Sequence, residues 1–383
     1  MLRVVGQLAA LVVVFVVFRW LIGNLVTNYS RLNIGFDFGF LNVPTQFQIA
    51  YHPEFNPRLP VWRMVLVGVK NTGLAAMFGI AVAGVLGLVI GIGRLSQNWL
   101  AAKLSAAYVE FFRNIPPLVA IVFFSFAVFL YGPLPHLRDA IEVGLPGTAS
   151  TLLVLSNGEW GVPGLRNTGN APLFGVLALV AVAASAAVWV WRTRVNERSG
   201  EPHHRVLWSL GVLAVVLVGA YVILDGPVVI DWPQLSENRR RLASGFSVNS
   251  GFMSVAGALG LYTASHVAEI IRGSILAVPW GQTEAANALA LTNFQRYRFV
   301  VLPQAMRIAI PPLINQALNL TKNTSLAVAV GYAEITTLTQ TSIGNGRPAV
   351  QSIVILMLVY LGFSLLISLI LNIVNRRLQL VTR

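Results

Sequence analysis

The chain contains no cysteine. That excludes disulfides, thiolate metal sites and a cysteine nucleophile. Charge is scarce as well: Asp, Glu, Lys and Arg make up 11% of the 383 residues, against about 25% in a soluble globular domain. Length alone allows two soluble domains, but this composition leaves no solvated surface to cover them. No G-x-x-x-x-G-K-[ST] phosphate loop occurs anywhere in the chain. Internal repeats, low-complexity segments and the strand alternation of an outer-membrane barrel are also missing. No catalytic triad, metal-ligand cluster or paired-carboxylate site is present, and the His203–His204 pair has no further metal-type ligand nearby.

What the chain has instead is apolar length. Hydrophobic residues make up 56% of it, and its mean hydropathy is +0.70. Runs long enough to cross a bilayer, roughly 17–25 residues, recur throughout. Only helices and closed barrels satisfy their backbone in lipid. The fold class expected is therefore all-α: a polytopic helical membrane protein with about eight transmembrane helices. The expected spans are approximately residues 4–26, 64–93, 105–131, 172–191, 206–224, 252–276, 305–328 and 350–373. The first reads as a retained anchor. The third reads as broken at Pro116 and Pro117, which remove two backbone donors.

The net charge of +13 reads as cytoplasmic loops meeting anionic lipid, not as a nucleic-acid surface. With the N-terminus inside, Arg94, Lys103 and Arg113, the cluster Arg192 to Arg205, the run Arg272 to Arg307, and Arg376, Arg377 and Arg383 all fall on the cytoplasmic side. The triplet Arg239, Arg240 and Arg241 goes against this rule if its loop lies outside. The organisation expected is an N-terminal helix and outer segment (1–62), first core helices (63–131), an insert with outer loops and two extra helices (132–251), and further core helices (252–383). Residues 132–171 and 225–251 read as outer loops, the first an ordered loop rather than a domain.

One cytoplasmic stretch stands out: residues 277–307, AVPWGQTEAANALALTNFQRYRFVVLPQAMR. Pro279 and Gly281 break the preceding helix. Glu284 opens a short helix, in whose first turn the dipole favours an acid. Thr292 and Gln295 fit a capping box for a second short helix, which Pro303 ends. Small Ala285, Ala286 and Ala288 allow close approach of a partner, Glu284 offers one charged anchor, and Arg296, Arg298 and Arg307 form a basic rim. By shape alone this is either a docking element or an ordinary amphipathic connector.

Glu-Ala-Ala at 284–286, a small residue at Ala290, and Val300 with Leu302-Pro303 resemble the signature loop of ABC importer permeases. The wider stretch from GLYTASHVAEIIRGSILAVPWG through NLTKNTSLAVAVGYAEIT is similar to the polar amino-acid branch of that family. So is NTGLAAMFGIAVAGVLGLVIGIGRLSQNWLAAKLSAAYVEFFRNIPPL. GFDFGFL, RLSQNWL and the long insert resemble general L-amino-acid transport permease subunits in particular. The resemblance implies the ABC type I importer permease fold and a non-catalytic pore subunit of the bacterial inner membrane. It implies a separate cytoplasmic ATP-binding subunit, a second permease paired as a heterodimer, a periplasmic amino-acid-binding protein, and no cofactor. It makes Gly281, Glu284, Ala285, Ala286, Ala290, Leu302 and Pro303 the ATPase-coupling loop. Two positions depart from the family pattern. Ala290 replaces a Gly, at a cost of about 1 kcal/mol if that turn is left-handed. His266 stands where an aromatic residue is usual.

Inside the membrane, Asn315, Asn319, Lys322 and Asn323 recur on one helix face, followed by Thr324 and Ser325. The stripe reads as lining a translocation path or as helix–helix hydrogen bonding, with Lys322 alternatively snorkelling to the outer interface. Glu269 with Arg272, and Glu110 with Arg113, read as structural ion pairs. The competing function is an ion-coupled secondary transporter. That would want several buried carboxylates and broken-helix repeats, and Glu269 is the one candidate carboxylate seen.

Overall fold

The computed structural model describes residues 2–31, 35, 37–50, 52, 55–145, 147–148, 150–200 and 204–378. His203 and Arg383, and the side chains of Arg376 and Arg377, lie outside that description. The chain divides into two compact units, Met1–Ser125 with Gly251–Arg383, and Phe126–Ser250.

The first unit is helical. It holds α1 (Leu2–Arg31), α2 (Val61–Gly93), α3 (Trp99–Asn114) and α4 (Pro117–Phe123). After the second unit come α7 (Ser250–Leu276), α8 (Trp280–Ala288), α9 (Asn293–Arg296), α10 (Leu302–Asn323), α11 (Ile335–Gly344) and α12 (Ala349–Leu378). Pro116 and Pro117 break the third expected span as read: α3 and the helix from Pro117 meet at 103°. Among the described residues, five helices are long and apolar enough to cross a membrane, or six with that bent pair. The count of about eight is not reached. Helices α7 and α10 stand where the other two spans were expected, but Glu269 and Arg272, and the Asn315–Asn323 stripe, lower their apolar character.

The core of this unit is packed through small residues. Gly79, Ala83, Gly87 and Gly91 recur every fourth position on α2 and are buried. A Cβ at Gly87 would lie 2.5 Å from Val267 Cγ1, and one at Gly91 would lie 2.9 Å from the Ala268 carbonyl oxygen. Helices without a hydrophobic drive between them associate through this close approach. The Tyr108 hydroxyl donates to the Leu261 carbonyl at 2.7 Å and ties α3 to α7. Ile49 and Phe55 pack against Val61, Met64, Ala333 and Leu338, so the segment before α2 is folded over the starts of α2 and α11.

The second unit corrects the reading of its two long loops. Between them they supply eight strands. Strands β1 (Ile141–Gly144), β2 (Thr151–Leu155), β3 (Glu159–Val162) and β8 (Phe246–Asn249) form one antiparallel sheet in that order. β4 (Gly164–Asn167) pairs with β5 (Val228–Asp231), and β6 (Gln234–Leu235) with β7 (Leu242–Ser244). Residues 132–171 and 225–251 are thus one body, built by pairing across roughly eighty intervening positions, where local patterning carries little signal. The helices α5 (Ala171–Ser199) and α6 (Arg205–Ile223) form a hairpin. Strands β4 and β5 adjoin its open end, and its closed end carries Arg192, Arg194, Arg198 and Arg205. At about 1.5 Å per residue the two ends lie ~30 Å apart. Arg239 therefore sits at the opposite end from the basic cluster. There it pairs with Glu142 at 2.9 Å and donates Nε–H to the Arg138 carbonyl at 2.6 Å.

Candidate functional site

The 277–307 stretch is a hydrogen-bonded helix–turn–helix. Pro279 is the N-cap of α8, so this helix starts at Trp280. Two expectations change with that boundary. Gly281 lies inside α8 rather than breaking its predecessor, and Glu284 is the fifth helical residue rather than a first-turn acid. At the other end, Leu291 N–H donates to the Ala286 carbonyl at 3.2 Å and Ala290 N–H to the Asn287 carbonyl at 2.9 Å. That pair of bonds is a Schellman stop, which requires a left-handed residue next to last. Ala290 is that residue, at φ 54°. The turn conditionally expected there is left-handed, and an alanine bears its strain.

Thr292 then starts α9 with a complete capping box: Gln295 N–H donates to Thr292 Oγ1 at 3.3 Å, and Thr292 N–H to Gln295 Oε1 at 2.9 Å. Arg296 donates to Asn287 Oδ1 at 3.0 Å and Gln304 to Gln282 Oε1 at 3.1 Å, which fixes α8 against α9 and α10. Pro303 does not end α9. A π-helical stretch, Tyr297–Val301, carries the backbone into α10, with Leu302 N–H donating to the Tyr297 carbonyl. Pro303 falls in the first turn of α10, where a missing N–H costs little.

Gly281, Glu284, Ala285, Ala288, Leu302 and Pro303 are exposed. Ala286 is not: it is buried on the inner side of α8, so it packs the loop rather than presenting a docking surface. Leu289 and Phe294, apolar residues of the same stretch that the sequence analysis did not single out, are 75% and 70% exposed.

On α10, Asn315, Asn319 and Lys322 are exposed on one face, Asn323 and Ser325 are half-buried, and Thr324 is buried. The stripe thus points away from the rest of its own unit. Thr324 turns inward, donating Oγ1–H to the Thr321 carbonyl at 2.7 Å. A cavity of about 540 Å³ among α2, α7, α10 and α12 is lined by Ala83, Leu88, Val267, Ile310 and Ile370, among others. Its walls are too apolar to hold a zwitterion. Glu269 meets Arg272 at 2.5 Å and is also bound by Arg94 from the end of α2. Glu110 and Arg113 are both exposed, and no ion pair joins them among the described residues.

Residue reading missed a polar knot centred on Glu334. Its carboxylate is fully buried, so Glu269 is not the one membrane-domain carboxylate to consider. Oε1 accepts from Thr337 N–H at 2.8 Å, and Oε2 from the Tyr360 hydroxyl at 3.0 Å and the Thr72 hydroxyl at 3.4 Å. Beside it, Asn71 donates to the Ala333 carbonyl at 2.7 Å and Tyr332 to the Asn71 carbonyl at 3.2 Å.

The family described as "Binding-protein-dependent transport system inner membrane component" matches residues 202–380. The General L-amino acid transport system permease protein AapQ of Rhizobium johnstonii is 38% identical over 98% of this chain and 92% of its own length. The chain belongs to the amino-acid ABC transporter permease family. The putative amino-acid ABC transporter permease YhdX of Escherichia coli is 36% identical over 98% of this chain and 94% of its own. The glutamate/glutamine/aspartate/asparagine transport system permease BztB of Rhodobacter capsulatus is 32% identical over 95% and 90%. This permease is accordingly a multi-pass protein of the inner membrane. Membership implies an ATP-binding subunit and a substrate-binding protein as partners.

Proposed function

We propose that this permease is one of two unlike permease subunits around a path that admits L-amino acids of broad range to the cytoplasm. A separate subunit hydrolyses the ATP, and this chain contributes no catalytic group. The observation that carries the reading is the 280–296 helix–turn–helix. It is capped on both sides of its turn, held to α10 by the Gln304–Gln282 side-chain hydrogen bond, and exposed at Glu284, Ala285, Ala288, Leu289 and Phe294. A rigid element with one acid and a small apolar patch suits insertion into a groove of a partner. Continuous helix from α9 into α10 suits transmission of that partner's movement to the membrane core.

In this reading Gly281, Glu284, Ala285, Ala290, Leu302 and Pro303 form the coupling element, with Ala286 its internal packing. Asn315, Asn319, Lys322 and Asn323 face the path, followed by Thr324 and Ser325. A face that its own chain leaves open suits a path shared with a second subunit. The amides and the ammonium serve a zwitterion without selecting a side chain. The strands of the 132–251 insert stand on the periplasmic side, and its α5–α6 hairpin crosses the membrane.

The test is reconstitution in proteoliposomes with the partner permease, ATPase and binding protein. Uptake of several L-amino acids is expected to require ATP. It is expected to vanish when the ATPase loses its phosphate-binding lysine while ion gradients are kept. Uptake that survives this change and follows the gradients would mean a secondary transporter.

A further inference from the structure

Glu334 lies at the end of α10 remote from the coupling element. Helix α10 has 22 residues, about 33 Å at 1.5 Å per residue, close to the thickness of a bilayer core. It carries Pro311 and Pro312 in its interior, which remove backbone hydrogen bonds and soften it midway. Beyond Asn323 the polar stripe runs into a tight helical segment, Thr324–Val330, closed by Gly331 at φ 67°. That segment leads to Glu334.

The Glu334 carboxylate binds three other elements at once. Thr72 belongs to α2, Thr337 to α11 and Tyr360 to α12. The Tyr360 hydroxyl lies 3.4 Å from Thr324 Oγ1 and 3.1 Å from Thr336 Oγ1, so the same knot reaches the start of the 324–330 segment. Thr72 Oγ1 in turn accepts from Ile335 N–H at 3.1 Å. The donors Thr72, Thr337 and Tyr360 are all neutral, and no ion pair to the carboxylate forms among the described residues. A carboxyl group buried without a counter-cation is a poor way to gain stability, since apolar packing of equal volume does better. What such a group supplies is direction: it joins α2, α11 and α12 in one fixed arrangement.

We propose that Glu334 is a positioning residue of the translocation path, whose carboxylate ties the Thr324–Val330 segment to α2 and α12 and so sets the closed geometry of the path's outer end. This rests on the importer reading above. With the knot intact, α10 is held at both ends, and movement of the coupling element is opposed until the loaded binding protein arrives. With the knot loosened, the far end of α10 yields, and ATP is hydrolysed without transport.

The experiment uses the full complex in lipid nanodiscs and proteoliposomes, with ATP hydrolysis measured without and with amino-acid-loaded binding protein, and uptake per ATP alongside. Glu334→Gln keeps the shape and replaces one acceptor oxygen by an amide donor. Hydrolysis without binding protein is expected to rise about tenfold, the shift produced when a buried hydrogen bond present in one of two states is lost, while uptake per ATP falls. Tyr360→Phe, which removes one donor, is expected to shift both readouts the same way by less, and is read instead should Glu334→Gln fail to assemble. Unchanged basal hydrolysis and unchanged uptake per ATP in assembled variants would overturn the inference. So would basal and stimulated hydrolysis falling together in step with lost complex, which marks a purely structural role. A wild-type complex that does not couple uptake to ATP overturns the importer reading and this inference with it.

Discussion

At the residue scale, Ala290 is held in the left-handed turn that ends α8. A Cβ there costs roughly 1–2 kcal/mol, and glycine returns part of the gain as unfolded-state entropy. Ala290→Gly is therefore expected to stabilise the turn by about 0.5–1 kcal/mol net. Hydrogen exchange at Ala290 and Leu291 is the measurement, with slowing of about two- to fivefold. Equal or faster exchange would mean that the turn is not strained. Lys322 gives a second test. Lys322→Met keeps length and removes the charge on the exposed face of α10, so packing and membrane insertion are expected to persist. If the ammonium guides carboxylates, uptake of acidic, neutral and basic amino acids falls together, by about tenfold, with binding to the periplasmic protein unchanged. Normal uptake would make Lys322 an interfacial anchor. Loss of acidic substrates alone would make it a selectivity element.

At the element scale, the α2–α7 seam depends on what is missing from side chains. Gly79, Ala83, Gly87 and Gly91 let the two helices approach until backbone meets side chain. Gly87→Leu puts a branched chain where Val267 already stands within 2.5 Å of the Cβ position. Overpacking of a tight core costs about 1–3 kcal/mol. The expected outcome is a lower melting temperature of the purified permease, with Gly84→Leu, which meets open space, as the tolerated control. An equal effect of the two would remove the seam as a packing determinant. The capping box at Thr292 was legible because its partners are three residues apart. The α2–α7 seam was passed over because a glycine stripe marks a packed face only once the facing helix is known.

For the whole molecule, sidedness is the quantity to measure. The α5–α6 hairpin separates the Arg192–Arg205 cluster from the paired strands by ~30 Å of helix, and the positive-inside bias predicts a cytoplasmic cluster. Arg239 is consistent with the outer side, since long or folded loops translocate regardless of charge and Glu142 pairs with it. Single cysteines at Ser199 and Asn345, in a chain that has none of its own, are expected to label from opposite sides, Ser199 from the cytoplasm. Labelling of Ser199 from outside in intact cells would invert the hairpin.

The sequence by itself determined what one stretch of chain can specify. Apolar length set the membrane class, Pro116-Pro117 set the break after α3, and Thr292 with Gln295 set the cap of α9. Only the tertiary structure decided what distant stretches do together. Strand β3 pairs with β8, Arg94 with Glu269, and Thr72 and Tyr360 with Glu334. It also turned Ala286 inward, left Glu110 and Arg113 unpaired with each other, and carried helix through Pro303. The physical reason is range. Caps, breaks and spans arise from hydrogen bonds within a few residues, whereas a buried carboxylate is satisfied by whichever donors the fold brings to it, and no local spacing records which ones those are.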